Sequence, residues 1–389
     1  MEILSLNTES FRNLASHRVE FHPRLNLVVG DNGHGKTNLL EALALVAGRP
    51  SFRATDLAIV RQSASARTVL SSRVRAAASP DDDAAPGERT WGVVLGEGSR
   101  EHYCDGRRVS RMTARRAMPA VFLTGHDLGR LSGPPSERRR ALDRAALAHD
   151  PEHGRTLQAY EKARLSKTRL LALKNRFDAD EMAVYEAALC DAGARLAAGR
   201  RAARVLLARE LARHAADLGS PFSGLTLELV SDLPAEGDVP AQAAALAAAM
   251  RSRKAEERRA GRCLVGPHRD DLLLKSEGIP VAARASSGET RTFILAWTLA
   301  EMALLEAAAG TAPVLGFDDF DSEWDPRVLA AFAEALPEKG QVFLTSARPD
   351  AVRGLPLPSG VFHRMTAGCL HREGILGAGR GERARAVVS

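Results

Sequence analysis

The stretch Gly30-Asp31-Asn32-Gly33-His34-Gly35-Lys36-Thr37 constrains this chain more than any other feature. It fits G-x-x-x-x-G-K-[ST], a glycine-rich loop whose backbone N–H groups turn inward around phosphate oxygens. In such a loop Lys36 reaches the β- and γ-phosphates and the Thr37 hydroxyl ligates Mg²⁺. The motif means something only between a strand and a helix. Leu25-Asn26-Leu27-Val28-Val29 reads as a buried strand, and the residues from Thr37 to Leu45 read as a helix with apolar residues on one face. The partial positive charge of that helix's N-terminus then lies under the phosphates. Both flanks agree, and the stretch predicts a nucleotide site.

A second site element lies far downstream. Pro313-Val314-Leu315-Gly316-Phe317-Asp318-Asp319 is a largely apolar strand ending in two carboxylates. Asp318 is placed to hold the Mg²⁺ shell, and Asp319 to orient or deprotonate an attacking water. Just before it, Ala285-Ser286-Ser287-Gly288-Glu289-Thr290-Arg291 opens an apolar helix running to about Ala309. Hydroxyls, N–H groups and helix dipole combine there into an anion site at Ser286, Ser287 and Gly288. The plainer reading is an ordinary N-cap, which serine favours.

Composition narrows the remaining choices. The chain has 389 residues, 45% hydrophobic, with 54 Lys+Arg against 48 Asp+Glu, a net charge of +6. Nearly all of the positive charge is arginine, which binds phosphate bidentately and stays charged when partly buried. Cys104, Cys190, Cys263 and Cys369 are scattered with no C-x-x-C pair, which argues against a zinc site or a disulfide framework. The N-terminus lacks the basic and apolar regions of a signal peptide, and no unbroken apolar run approaches membrane-spanning length. These features predict a soluble, cytoplasmic protein without a membrane partner.

In chain order, residues 2–7 and 18–22 read as strands feeding the one before the P-loop. Residues 67–77 and 90–95 read as strands around a solvated loop, Ser79 to Gly87, and Cys104-Asp105-Gly106-Arg107 carries a hairpin signal. Ser136 is a candidate N-cap. Residues 152–217 read as a helical hairpin broken around Asn175-Arg176-Phe177-Asp178, residues 223–230 as a strand, and 239–259 as one helix. Arginine clusters at Arg107, Arg108, Arg111, Arg115 and Arg116, at Arg138, Arg139 and Arg140, and at 251–259 are candidates for DNA phosphate, or plain solvated surface. Arg107, Arg108, Arg138, Arg139 and Arg140 are the residues selected for that role.

The order P-loop, helical excursion, Ser-Ser-Gly, strand-Asp-Asp is that of an ABC-type ATPase head. In that architecture the signature helix is supplied by a second subunit, Asp321-Ser322-Glu323-Trp324-Asp325 is the D-loop, and Gln341 to Ser346 ends where a γ-phosphate switch residue stands. The chain further resembles the RecF family, bacterial recombination-repair ATPases related to SMC heads. Besides the P-loop stretch continuing to Ala42 and the Ala285–Thr292 stretch, Gly133-Pro134-Pro135-Ser136-Glu137-Arg138-Arg139-Arg140-Ala141-Leu142-Asp143 and Leu264-Val265-Gly266-Pro267-His268-Arg269-Asp270-Asp271 carry the resemblance. Those last two have no general ABC role and so discriminate this family from other heads.

The resemblance implies an α/β fold: an ABC-type P-loop ATPase head, a mixed β-sheet around the P-loop helix, with an inserted helical subdomain. The expected division is 1–140 with 262–389 as head and 141–261 as helical arm. It further implies ATP and Mg²⁺ as cofactors and weak hydrolysis. The implied assembly is an ATP-induced homodimer on double-stranded, gapped or junction DNA, with RecR as partner in the RecO/RecA pathway of repair and replication-fork maintenance. The chain departs from the family at His126, usually acidic, at Ser287 and Glu289, more often Gln, and at Gly316 in a normally aliphatic strand. Those departures bear on hydrolysis and on the signature contact. A transporter ATPase would lack the arm, and an ABC-headed nuclease would need a further carboxylate-rich domain. A nucleotide-gated DNA clamp with negligible turnover is the remaining alternative.

Overall fold

Strands Glu2–Glu9 (β1), Arg18–Glu20 (β2) and Leu25–Val29 (β3) open the chain, and they do not form one sheet. A computed structural model describes residues 1–52, 67–76, 87–96, 99–128, 133–173, 179–234, 236–321, 324–336, 338, 340–348, 350 and 355–377. β1 and β2 join Thr68–Ala76 (β4), Gly87–Leu95 (β5), Arg100–Cys104 (β6) and Arg107–Val109 (β7) in an antiparallel sheet of order β2-β1-β4-β5-β6-β7. Their burial roughly alternates, as in a sheet covered on one face. The β6–β7 hairpin turns at Asp105 and Gly106, both at positive φ, as the Asp-Gly pair predicts.

β3 is buried at every residue and belongs to a second sheet. It lies with Ala120–Leu123 (β8), Val314–Phe317 (β12), Val342–Ser346 (β13), Gly360–Thr366 (β14) and Cys369–Leu376 (β15) in the order β15-β14-β3-β13-β12-β8. All neighbours are parallel except β14 and β15. The largely apolar, fully buried strands β3, β12 and β13 suit parallel strands covered on both faces. β14 and β15 have no counterpart in the sequence reading, and they complete the sheet beside β3. Gln341 ties the two sheets together: its side chain accepts from Ile3 N–H at 2.8 Å and donates to the Ile3 and His22 carbonyls.

Helix Lys36–Val46 (α1) packs against β4 and β5 of the first sheet and β8 and β13 of the second, and a short helix, Arg111–Ala117 (α2), follows β7. Every residue of α1 except Thr37 is buried, so the helix is covered all round and has no single apolar face. Leu39, Leu40, Leu43 and Leu45 each contribute about 1.5–3 kcal/mol of burial there. The buried Glu41 is neutralised by Arg12, whose NH2 donates to it at 3.0 Å, and accepts a further hydrogen bond from the Ser51 hydroxyl.

By packing, residues 1–128, 214–219 and 291–389 form one unit, and 129–213 and 220–290 a second. The second contains Pro135–His149 (α3), His153–Ala172 (α4), most of Ala179–Asp217 (α5), Val239–Ser252 (α6) and Lys254–Ala260 (α7). A small sheet of Leu225–Val230 (β9), Asp271–Ser276 (β10) and Ile279–Pro280 (β11) joins them, so the unit is not purely helical. α3 begins at Pro135 with Pro134 as N-cap, which puts Ser136 inside the first turn. The expected single helix at 239–259 breaks at Arg253. Beyond the break Glu257 is drawn into the core, where it binds the buried Lys167 ammonium at 2.7 Å and accepts from Leu264 N–H. The loop residues 79–86, the break at 175–178 and the side chain of His126 lie outside what the structure describes.

The two stretches that carry the more specific resemblance meet inside this unit. Arg138 forms two parallel bonds to Asp271 at 2.7 and 2.8 Å, and Arg139 donates to the Asp270 carbonyl at 2.6 Å. Arg200, 3% exposed at its side chain, donates to both oxygens of Asp143, to Asp270 and to the Pro267 carbonyl. His153 Nε2 lies 3.0 Å from the same Asp143 carboxylate. These contacts hold the Asp143 carboxyl down at about 2 against the opposing effect of burial. Gly266, at φ 125°, must be glycine: a Cβ there would lie 2.6 Å from the Tyr160 hydroxyl, which donates to His268 Nδ1 at 2.7 Å. Arg138 and Arg139 are thus committed to holding α3 against β10 and the turn before it.

Removing one partner of a buried ion network leaves the others charged and uncompensated. Arg200→Leu is expected to cost about 3–5 kcal/mol of the second unit's stability, read as a lowered urea midpoint by circular dichroism. Asp143 is stabilising while ionised, so its contribution is complete above its ordinary carboxylate value and is lost as pH falls toward about 2.

Candidate active site

Four parallel strands end side by side, and each hands a loop to the same edge. β3 leads into the P-loop, β12 into Asp318 and Asp319, β13 lies between them, and β8 leads into Thr124. Ligands bind at the carboxyl ends of such strands. In the P-loop Gly33 and Gly35 take φ of 83° and 113°, which other residues adopt only under strain. Gly30 is fixed by crowding instead, because a Cβ would lie 2.3 Å from the Met365 carbonyl oxygen of β14. α1 starts with Gly35 as N-cap and no side chain closing it, so the N–H groups of its first turn are left open to an anion. Lys36, 5% exposed, donates from Nζ to the Gly30 carbonyl at 2.8 Å and to that of Asp31 at 3.3 Å. Asp31, Asn32 and Gly33 are exposed and His34 half-exposed, with its Nδ1 3.3 Å from the Met365 carbonyl.

The loop is braced from behind by Ser10 to Leu14, a segment with Ser10 and Arg12 at positive φ. Asn13 donates to the Gly33 carbonyl at 2.7 Å and accepts from Asn38 of α1 at 2.6 Å. Nothing in the sequence marks Asn13 for this task.

Asp318 is held by two hydroxyls. Thr37 donates to its Oδ2 and Thr345 to its Oδ1, each at 2.7 Å. Thr345 Oγ also accepts the Asp319 N–H at 2.8 Å, and Asp319 sits at φ 46°. One buried hydroxyl thereby sets both carboxylates. Asp319 Oδ1 is buried without a hydrogen-bond partner among the described residues, and burial followed by the charge of Asp318 raises its carboxyl above the ordinary range. A raised carboxyl with an uncommitted oxygen suits a general base. Among the described residues no cluster of three or more His, Cys, Asp or Glu could hold a metal alone. Thr37 and Asp318 fit Mg²⁺, which takes few protein ligands and fills its shell with phosphate oxygens and water.

Past the carboxylates, Asp321 pairs with Arg348 at 2.7 Å and Trp324 packs edge-on against Phe317; Ser322 and Glu323 of the expected D-loop lie outside the described residues. Ser346 is committed to Arg348, accepting its N–H at 2.7 Å. Ser286 to Gly288 belong to the second unit and open helix Ser287–Ala309 (α8). Ser286 and Glu289 form a reciprocal box, each backbone N–H bonded to the other's side chain, and these bonds hold the Glu289 carboxyl low. Ser287 and Gly288 are exposed. α8 is long and apolar enough to cross a membrane, but two-thirds of its apolar window is buried inside the protein, as in a core helix. Arg107 and Arg108 are exposed, Arg108 lying 3.1 Å from Glu101; Arg140 is also exposed and pairs with Glu137.

The model of the RecF/RecN/SMC N terminal domain family matches residues 2–367. A DNA replication and repair protein RecF from Myxococcus xanthus is 33% identical over 362 residues, covering 91% of this chain and 93% of the relative. The chain belongs to the RecF family. A second RecF, from Geobacter sulfurreducens, is 36% identical over 361 residues, 91% of this chain and 94% of its own length. Among solved structures, a RecF recombination mediator of the RecFOR pathway, described as RecF-ATP, superposes with a TM-score of 0.82 at 24% identity, covering 95% and 97% of the two chains. An SMC head bound to the winged-helix domain of ScpA gives 0.54 at 15% identity over 97% and 98%. The fold is therefore the ABC-type ATPase head common to RecF and SMC proteins.

Thr345→Val keeps shape and removes the shared hydroxyl. Mg²⁺-dependent hydrolysis is expected to fall about tenfold or more, with nucleotide affinity in EDTA unchanged, as measured by steady-state phosphate release and by equilibrium binding.

Proposed function

We propose that this RecF-family chain binds ATP and Mg²⁺ at the P-loop and hydrolyses ATP slowly. ATP-driven pairing of two copies then serves to hold DNA in replication and recombinational repair. The observation that carries the reading is the joint hold of Thr37 and Thr345 on Asp318 beside the uncommitted oxygen of Asp319. Lys36 and the first turn of α1 would hold the phosphates, Thr37 and Asp318 the Mg²⁺, which supplies charge neutralisation at the phosphates. Asp319 takes the proton of the attacking water. The relatives' name, DNA replication and repair protein, and the solved RecF's place in the RecFOR pathway support a role in DNA repair. From that role we infer a cytoplasmic location, duplex, gapped or junction DNA as ligand, and RecR, in the RecO/RecA pathway, as partner. Arg107, Arg108 and Arg140 are the selected arginines that face solvent; the surface ion pairs of Arg108 and Arg140 cost little to exchange for DNA phosphate.

A nucleotide-gated clamp with little turnover is the second reading. It is favoured by Ser346, which stands where transporter heads carry a switch histidine and is tied up with Arg348. Lys36→Ala is expected to remove most ATP affinity, and Asp319→Asn to keep affinity while hydrolysis falls at least a hundredfold. Equilibrium binding and phosphate release, each with and without DNA, check both. Equal loss of binding in the two variants would overturn the division of roles, and wild-type turnover at the Asp319→Asn level would select the clamp.

Two-fold pairing would place the exposed Ser287 and Gly288 of one copy on the γ-phosphate held by the other, forming two such sites at once. Ser287→Arg is expected to abolish ATP-induced dimers in sedimentation while monomers still bind ATP. Equal dimer populations with ATP, with ADP and without nucleotide would exclude this role.

A further inference from the structure

A cleft of about 460 Å³ opens within the second unit, lined by Pro134 to Ser136, Arg139, His268 and Arg269 from the 133–143 and 264–271 stretches and by residues of α4 and the turn after α7. Arg139, Arg164, Arg262 and Arg269 line it, with Ser136 of the first turn of α3 and His268 between them. Among the described residues no carboxylate is part of the lining. Arg164 donates to Glu161 at 2.7 and 3.0 Å, and Arg269 lies 3.8 Å from Asp232. The other two arginines have no ion pair of their own among the described residues. Arg139 uses one N–H on the Asp270 carbonyl, and the acids nearest to it are already taken, Asp271 by Arg138 and Asp270 by Arg200. Arg262 is exposed and has no ion-pair or hydrogen-bond partner among the described residues.

His268 adds no charge. Burial lowers it to about 4, and its ring nitrogens are occupied by the Tyr160 hydroxyl and the Cys263 carbonyl. The start of α3 is closed by no side chain, and Glu137 of its first turn is paired with Arg140, so the partial positive charge of the helix end adds to that of the arginines. Burial and the neighbouring Arg200 lower Arg139 below the usual arginine value, a cost that a bound anion would relieve.

We propose that this cleft is a second anion site, separate from the P-loop, that takes a phosphate group through guanidinium pairs. Its volume exceeds that of phosphate and admits the attached sugar as well. Apart from His268 the lining has no aromatic ring on which a base could stack, so recognition is of phosphate and not of base identity. Two sources offer that chemistry, a nucleic-acid backbone and a free phosphate ion.

The test uses the full chain with its P-loop saturated by ATPγS and Mg²⁺, at fixed ionic strength. Three probes are titrated: a dT oligonucleotide, the same oligonucleotide with an uncharged methylphosphonate backbone, and inorganic phosphate. Arg262 is exposed and its replacement leaves the buried network intact. Arg262→Ala is expected to weaken the charged probe that uses the cleft about tenfold, Arg262→Glu further, and Arg262→Lys to recover part of the loss. ATPγS affinity stays unchanged in all three. Loss confined to the charged oligonucleotide assigns the cleft to a nucleic-acid backbone, and loss confined to inorganic phosphate assigns it to a free ion. Affinities within twofold of wild type for both charged probes, or equal loss for the methylphosphonate, overturn the proposal. Failure of ATPγS to bind the wild type would count against the active-site reading alone.

Discussion

Asp318 is gripped between a hydroxyl 281 residues before it and another 27 residues after it, and the head is arranged so that these three meet. Thr37 stands at the start of α1, Thr345 in β13 and Asp318 at the end of β12. They converge because β3, β13 and β12 are adjacent and parallel, in a register that sets Phe317 beside Leu344 and Leu344 beside Leu27. Slipping one strand by a residue would turn its side chains to the opposite face and lose the contact. Burial of α1 between the two sheets and the Gln341 link across them keep that register from moving.

The second unit is organised by charge as much as by apolar packing. Arg200 sits among Asp143, Asp270 and the Pro267 carbonyl, and Lys167 between Glu257 and Glu186. Buried ions of this kind add little net stability relative to an apolar core. Once present, they penalise any arrangement in which a partner is missing, and so hold the turn at Gly266–Asp271 against α3 in one geometry. That geometry also forms part of the wall of the arginine-lined cleft.

Two departures from the family pattern have local structural reasons. Gly316 interrupts an aliphatic strand, but a Cβ there would lie 2.4 Å from the ring of Phe122, its register partner on β8. The aromatic ring fills the space that a larger residue would occupy. Glu289 closes a capping box with Ser286, a task that Glu and Gln perform alike. Its carboxylate adds a negative charge near a helix end expected to meet phosphate.

The P-loop, the aspartate pair, the largely apolar strands β3, β12 and β13 and the Asp-Gly hairpin were legible because each is a local pattern with one physical meaning. A glycine at positive φ or an apolar run of strand length needs no partner to be recognised. The remainder was decided by contacts distant in sequence. β1 and β2 read as companions of β3, yet only pairing with β4 assigns them to the other sheet. β14 and β15 give no local signal beyond modest alternation. Arg138 and Arg139 look like a surface cluster until Asp271 and the Asp270 carbonyl, more than a hundred residues on, are brought beside them. Thr345 is an ordinary strand residue in sequence; its hydroxyl acquires a role only when β13 is inserted between the strands that carry the P-loop and the aspartates. Local patterns therefore determined the kind of chemistry, and tertiary structure decided which side chains perform it, since hydrogen bonds and ion pairs depend on distances that sequence spacing does not encode.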